Sequence, residues 1–352
     1  MLKREIEKMK AAYTLPQLGW KQSFQQQLSL EELSDFTVAR LAIAERSELI
    51  LLSEAERITL HITPSMPRMT VGDWVLLDED NLFVRLLERL TWLERKAAGS
   101  ERNRQLIAAN LDTVFIVSSL NEDFNLNRIE RYLSLAHETG IEPVVVLTKA
   151  DLCDSPEEYV SQVQALDVML AVVKLNALDA SCIEVLAPWL GLGNTVAVIG
   201  SSGVGKSTLI NTLIGQEIQS TGGIREDDAK GRHTTSSRSM HLLKQGAVLL
   251  DTPGMRELQL TDCEQGVEET FADIVSLALQ CKFSDCQHES EPKCAVQAAI
   301  ADGRLDERRL HNYQKLMREQ AFNSASLAER KAKDKDFGKM VKSVMDFKTQ
   351  NR

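Results

Sequence analysis

The stretch "GSSGVGKST", Gly200–Thr208, decides the fold. Gly200, Gly205, Lys206 and Ser207 meet the spacing G-x-x-x-x-G-K-[ST] of a phosphate loop. The preceding "NTVAVIG" is an apolar run suited to a buried strand, and the following "KSTLINTLIG" carries a helical pattern. Strand, glycine-rich turn and helix is the order that this chemistry needs. Backbone N–H groups along Gly200, Ser201, Ser202, Gly203, Val204, Gly205, Lys206, Ser207 and Thr208 can turn toward phosphate oxygens, and the helix N-terminus adds partial positive charge. In this pattern Lys206 reaches the β- and γ-phosphates, and Ser207 ligates Mg²⁺.

Downstream, "LLDTPGM" places Asp251 at the end of an apolar strand, where the Mg²⁺-linked carboxylate of such proteins sits. Gly254 then offers a backbone N–H to the γ-phosphate. Between the two motifs lies "GRHTTSSR". A threonine in this interval commonly completes the metal shell and closes a switch loop, and Thr234 and Thr235 are both candidates.

Upstream, "LTKAD" (147–151) follows the buried-strand run "PVVVL". A carboxylate at Asp151 can accept from guanine N1–H and its 2-amino group together, which adenine cannot offer, so Asp151 selects GTP. Lys149 can lay its stem against the base. Thr148 stands where an asparagine is usual, so a loop-bracing amide is missing. Asn176–Ala177 in "LNALD" resembles the Ser-Ala loop that touches the guanine O6. The base reader thus precedes the phosphate loop, the reverse of the ordinary order. In an open α/β sheet all these loops leave the carboxyl ends of the strands, so joining the old termini and cutting elsewhere preserves the site. The order predicts a circularly permuted GTPase. The segment after "DTPG" then lies near the end of that domain, next to whatever follows.

Farther out, residues 1–35 are polar and Gln-rich, with a helical texture. "FTVARLAIAE", "ELILLS", "RITLHI", "DWVLLD" and "LFVRLLE" predict five short strands and an OB-like barrel over 36–100. "KAAGSERNRQ" has the composition of a linker. Strands alternating with helices over 101–262 predict a parallel α/β domain, and a mostly helical domain occupies 263–325. A basic tail fills 326–352, with eight Lys or Arg against four Asp or Glu. In "CKFSDCQHESEPKC", Cys281, Cys286, His288 and Cys294 are spaced C-x4-C-x-H-x5-C. Three thiolates and an imidazole make a closed tetrahedral set, so one structural Zn²⁺ per chain is expected.

The net charge of −10 weighs against nucleic acid as a partner, because phosphate contact favours basic surfaces. Local patches can still act. Arg85–Arg104 carries six basic residues against three acidic, although composition alone makes it and the tail ordinary solvated faces. No apolar run is long enough to cross a bilayer, and "MLKREIEKMKAAY" lacks the apolar middle of a signal peptide. A cytoplasmic location is expected.

On "TKAD" before "GSSGVGKST", then "GRHTT", "DTPG" and the Cys–Cys–His–Cys set, the chain resembles the RsgA/YjeQ family of circularly permuted, ribosome small-subunit-dependent GTPases, over roughly residues 36–320. The resemblance implies GTP hydrolysis to GDP and phosphate with Mg²⁺, and a role in late maturation of the small subunit. It also implies rRNA contacts through the barrel and the zinc domain. A monomer is expected. Met255 follows Gly254 where many GTPases place a water-orienting glutamine, and a thioether cannot hold that water. In the family a first-switch histidine is the proposed substitute, and His233 matches it. A different reading is a GTP-gated rRNA-binding assembly module with incidental hydrolysis. A small-molecule kinase or ATPase fits "TKAD" and the cysteine set poorly.

Overall fold

The computed structural model describes residues 13–45, 47–96, 104–215, 238–251 and 263–324. The chain divides into two compact units, residues 1–259 and 260–352. Among the described residues no helix is long and apolar enough to cross a membrane.

In the first unit, β1 (Thr37–Ala44), β2 (Glu48–Leu52), β3 (Arg57–His61), β4 (Trp74–Leu77) and β5 (Phe83–Leu86) are the five runs expected as strands. They pair antiparallel in the order β3-β2-β1-β4-β5, an OB-like, partly open barrel. β1 is the pivot. Thr37–Arg40 pair with β4 and Arg40–Ala44 with β2, the latter ladder shifting register between Leu41 and Ile43.

Of the stretch expected as a linker, Lys96, Arg104 and Gln105 are strand residues, while 97–103 lie outside the described residues. β6 (Trp92–Lys96) and β7 (Arg104–Ala109) pair antiparallel, with Trp92 opposite Ala109 and Lys96 opposite Arg104. Charges mask the alternation there, but Leu93, Ile107 and Ala108 are buried. Burial of that face outweighs the loop-like composition.

The remaining strands are β8 (Thr113–Ser119), β9 (Glu142–Thr148), β10 (Ala171–Lys174), β11 (Thr195–Gly200), β12 (Arg238–Leu242) and β13 (Val248–Asp251). They lie in the order β10-β9-β8-β11-β13-β12. The first five are parallel throughout, while β12 runs antiparallel to β13. The sheet is therefore mixed rather than all parallel. A tight turn produces the reversal: Leu243 N donates to the Ala247 carbonyl at 2.8 Å, and Gly246 sits at φ 104°. β12 also pairs with β1, Ile43 opposite Ser239 and Ala44 opposite Arg238. Barrel and α/β strands so belong to one sheet.

Residues 13–35, which carried no pattern beyond polarity, are integral to this unit. Turns and two short helices, Gln22–Gln25 and Leu30–Asp35, bring Trp20 and Phe24 to 4.8 and 5.9 Å from the Trp74 ring. Ser29 and Glu32 form a capping box at the second helix. Beneath them Arg40 is fully buried. Its guanidinium donates to the carbonyls of Leu18, Gly72 (3.3 Å) and Asn110 (3.3 Å) and to the Thr195 hydroxyl (3.0 Å). Burial lowers its pKa to about 10, which leaves it charged at neutral pH.

The second unit is helical in its described part, with Glu264–Thr270, Ala272–Ala278, Ala295–Ala301 and Glu307–Ser324. Arg309 holds it together. It pairs with Asp273 at 2.8 and 3.0 Å and lies 4.8 Å from the Phe271 ring centre.

Candidate functional site

The parallel strands point their carboxyl ends the same way. Gly200 lies opposite Val117, and Ser119 lies opposite Thr148. The phosphate loop, the loop Lys149–Ala150–Asp151 and the loop after β10 therefore leave one edge of the sheet. Asp251 ends β13, the other neighbour of β11, where Ala197 faces Leu250.

The phosphate loop has the backbone its glycines imply. Gly200 has φ 143°, and a Cβ there would come within 2.3 Å of the Val117 carbonyl oxygen. Gly205 has φ 95° and caps the helix Lys206–Ile214. Only glycine takes these conformations without strain or collision. Ser202 and Gly203 are exposed at the turn, while Val204 is buried under it. Ser207 and Thr208 stand in the first turn of the helix. The Lys206 ammonium donates to the Ser201 carbonyl.

Contacts from two other segments shape this loop. Thr148 is fully buried, and its hydroxyl donates to the Val204 carbonyl at 2.6 Å. The brace expected to be missing is thus supplied by a hydroxyl. On the other flank, the helix Leu126–Glu138 brings Arg128 Nη1 to 3.4 Å from Ser201 Oγ. The Tyr132 phenol also hydrogen bonds with Ser201, and burial raises its pKa. Thr212, on the helix after the phosphate loop, donates to the Ala177 carbonyl at 2.7 Å and so links this helix to the second base loop.

The base-reading loops are equally defined. Lys149 takes a left-handed φ of 58°, which turns the chain so that Asp151 is exposed beyond the sheet edge. Ala150 N donates to the Leu175 carbonyl, tying the two base loops together. Asn176 Oδ1 accepts from Leu178 N at 2.9 Å, an Asx turn that shapes the Asn176–Ala177 loop. The structure thus brings Thr148, Lys149, Asp151, Asn176 and Ala177 to the same edge as the phosphate loop. Gly254, His233, Thr234, Thr235 and Met255 lie outside the described residues.

In the second unit, ligand-capable atoms of Cys281, Cys286, His288 and Cys294 all lie within 4.8 Å of one another. The sulfurs of Cys281 and Cys294 are 3.8 Å apart, and His288 Nδ1 lies 3.7 and 3.5 Å from them. A tetrahedron built on Zn–S bonds of about 2.3 Å and Zn–N bonds of about 2.0 Å has edges of about 3.5–3.8 Å. The set fits a metal ion. Cys294 caps the helix Ala295–Ala301 and accepts from Gln297 N at 3.4 Å. Gln297 Nε2 donates to the His288 carbonyl at 2.5 Å. Burial opposes ionisation of Cys281, yet the N–H groups of Ala295 and Val296 overcome it and hold its pKa below the usual thiol value. Cys286 is pushed up to about 11, first by burial and then by the sulfurs of Cys294 and Cys281. As thiolates, three sulfurs this close together would be suited to a cation between them.

The family model of the RsgA GTPase matches residues 86–261. The chain is 59% identical over 338 residues to small ribosomal subunit biogenesis GTPase RsgA 2 of Vibrio parahaemolyticus, covering 96% of this chain and 94% of that relative. The crystal structure of YjeQ from Thermotoga maritima matches with a TM-score of 0.61 and 25% identity, over 81% of this chain and 98% of that one. YloQ, described as a circularly permuted GTPase, matches in fold at a TM-score of 0.59 and 22% identity, over 83% of this chain and 98% of its own.

Proposed function

The chain belongs to the RsgA GTPase family, and from that premise we propose that it binds GTP at the carboxyl edge of its sheet, hydrolyses it to GDP and phosphate, and acts in biogenesis of the small ribosomal subunit. The observation that carries this reading is the bond from Thr148 to Val204, which joins the base-reading loop to the phosphate loop although the chain reaches them in reversed order.

Residues 200–208 hold the phosphates, with Lys206 on the β- and γ-phosphoryl oxygens. Asp151 takes the two guanine donors, Lys149 flanks the base, and Asn176–Ala177 faces its O6. Thr148 acts through the phosphate loop. Ser207, Asp251 and Thr234 or Thr235 would hold Mg²⁺, which would supply positive charge to the phosphates. Gly254 contributes its N–H to the terminal phosphate. His233 orients the attacking water, which Met255 cannot do. Cys281, Cys286, His288 and Cys294 hold one structural Zn²⁺.

The division of labour follows the sequence segments: an N-terminal segment to residue 35, a barrel at 36–100, the nucleotide domain at 101–262, a zinc domain at 263–325 and a basic tail. The barrel and the zinc domain contact rRNA, and the protein works as a cytoplasmic monomer. The direct test is GTP turnover with purified small subunits, large subunits or neither. Stimulation by small subunits alone is expected. Equal turnover in all three conditions would leave a nucleotide-gated binding module as the better description.

A further inference from the structure

Arg128 lies in the first turn of the helix Leu126–Glu138. The backbone there is pinned. Asn125 caps the helix by accepting from Arg128 N at 3.2 Å, and Ile129, Tyr132 and Leu133 are buried beneath it. The side chain is exposed and loosely held. Its guanidinium reaches Ser201 Oγ at 3.4 Å and the Asp123 carbonyl at 3.5 Å, both neutral oxygens at the long limit of hydrogen bonding. No carboxylate pairs with it among the described residues.

Ser201 immediately precedes the exposed turn Ser202–Gly203. The Lys206 ammonium sits on the carbonyl of this residue, and the Arg128 guanidinium sits on its hydroxyl. Two cations from separate elements therefore converge on one neutral residue of the phosphate loop. Such an arrangement is relieved by an anion, and a guanidinium offers paired donors suited to phosphate oxygens.

We propose that Arg128 is a further catalytic residue of the hydrolysis, leaving Ser201 to engage the terminal phosphate when GTP is bound. The proposal rests on the reading of this edge as the GTP site. In the reaction the water oxygen bonds to the γ-phosphorus as the bond to the β–γ bridging oxygen breaks; that electron pair leaves with GDP, and a proton of the water passes to a γ-phosphoryl oxygen of the released phosphate. Arg128 contributes charge where negative charge spreads over the γ-phosphoryl oxygens. GDP lacks this phosphate, so the contact discriminates between the two nucleotides.

The experiment uses the full chain with Mg²⁺, and measures GTP and GDP affinity and single-turnover hydrolysis, with and without small subunits. Arg128→Ala is expected to weaken GTP binding about 10- to 100-fold, the worth of a hydrogen bond to a charged group, and to slow hydrolysis. GDP affinity should stay within about twofold, because no GDP oxygen uses this group. Arg128→Lys should restore part of both losses by returning the charge. Tyr132→Phe removes the other contact to Ser201 and should leave the GTP-to-GDP ratio intact. If Arg128→Ala shifts both nucleotides equally or neither, or if Tyr132→Phe reproduces its effect, Arg128 is only a tether and the proposal fails. Lys206→Ala serves as the separate control. Normal hydrolysis in that variant would overturn the GTP-site reading itself rather than the role of Arg128.

Discussion

The hydroxyl of Thr148 donates to the carbonyl oxygen of Val204 at 2.6 Å, across 56 residues of chain. One residue ends the strand before the base-reading loop, and the other lies inside the phosphate loop. Each loop's shape therefore depends on the other. The bond is fully buried on the Thr148 side, so water cannot replace it.

Thr148→Val keeps the volume and deletes the donor, stranding the Val204 carbonyl. The expected loss is about 1–3 kcal/mol of stability in the first unit, with GTP and GDP binding weakened alike, because the loop shape serves both. Thr148→Ser should behave close to wild type. Thermal melts and equilibrium binding check this, and unchanged values for the valine variant would refute the brace.

Asp151→Asn keeps the size of the side chain and exchanges an acceptor oxygen for a donor. Preference for GTP over ATP is expected to collapse, since each hydrogen bond to the carboxylate contributes about 1.5–3 kcal/mol. Competition between the two nucleotides measures it. Because Asp151 is exposed, the melting temperature should not move.

His233→Ala is expected to slow hydrolysis on the small subunit by about 10²–10⁴-fold, the usual worth of a positioned acid–base group. GTP affinity should change little, because a ring in the proposed role would act mainly in the transition state. The mutant should bind small subunits with GTP and release poorly. A near wild-type single-turnover rate would assign the water to the backbone or to rRNA.

Cys281→Ser or Cys294→Ser removes a corner of the tetrahedron. Bound metal should fall from one zinc per chain toward none, with loss of helical signal from the second unit. Structural zinc binding is worth about 10–16 kcal/mol in small domains, far more than the packing of a few short helices supplies. Subunit-independent GTP turnover should persist, because the sheet of the first unit contains none of these residues. Elemental analysis and circular dichroism read both outcomes, and a wild-type protein free of zinc would contradict the assignment.

Arg40→Met replaces the buried guanidinium with an apolar chain of similar reach. The carbonyls of Leu18, Gly72 and Asn110 then lose a donor at once. The expected cost is about 2–5 kcal/mol. Urea unfolding followed by tryptophan fluorescence reports it directly, since Trp20, Trp74, Trp92 and Trp189 all lie in the first unit.

Much of this protein was legible in local sequence because its chemistry is local. The phosphate loop needs Gly200 and Gly205 for backbone reasons, and five alternating runs announce five strands. Four side chains able to ligate a metal, within fourteen positions, form their own cluster. The reversed motif order also implied the permutation, because strand ends converge whatever order the chain visits them. Tertiary structure alone decided what depends on distant partners. Lys96 and Arg104 belong to a hairpin because buried Leu93 and Ile107 give that pair of strands an inner face. The polar residues 13–35 are fixed by Trp74 and Arg40, to which no spacing rule connects them. Thr148 braces the phosphate loop, and Arg128 reaches Ser201, only because β8, β9 and β11 lie side by side. Hydrogen bonds across tens of residues leave no periodic trace, since their partners are set by strand order rather than by separation along the chain.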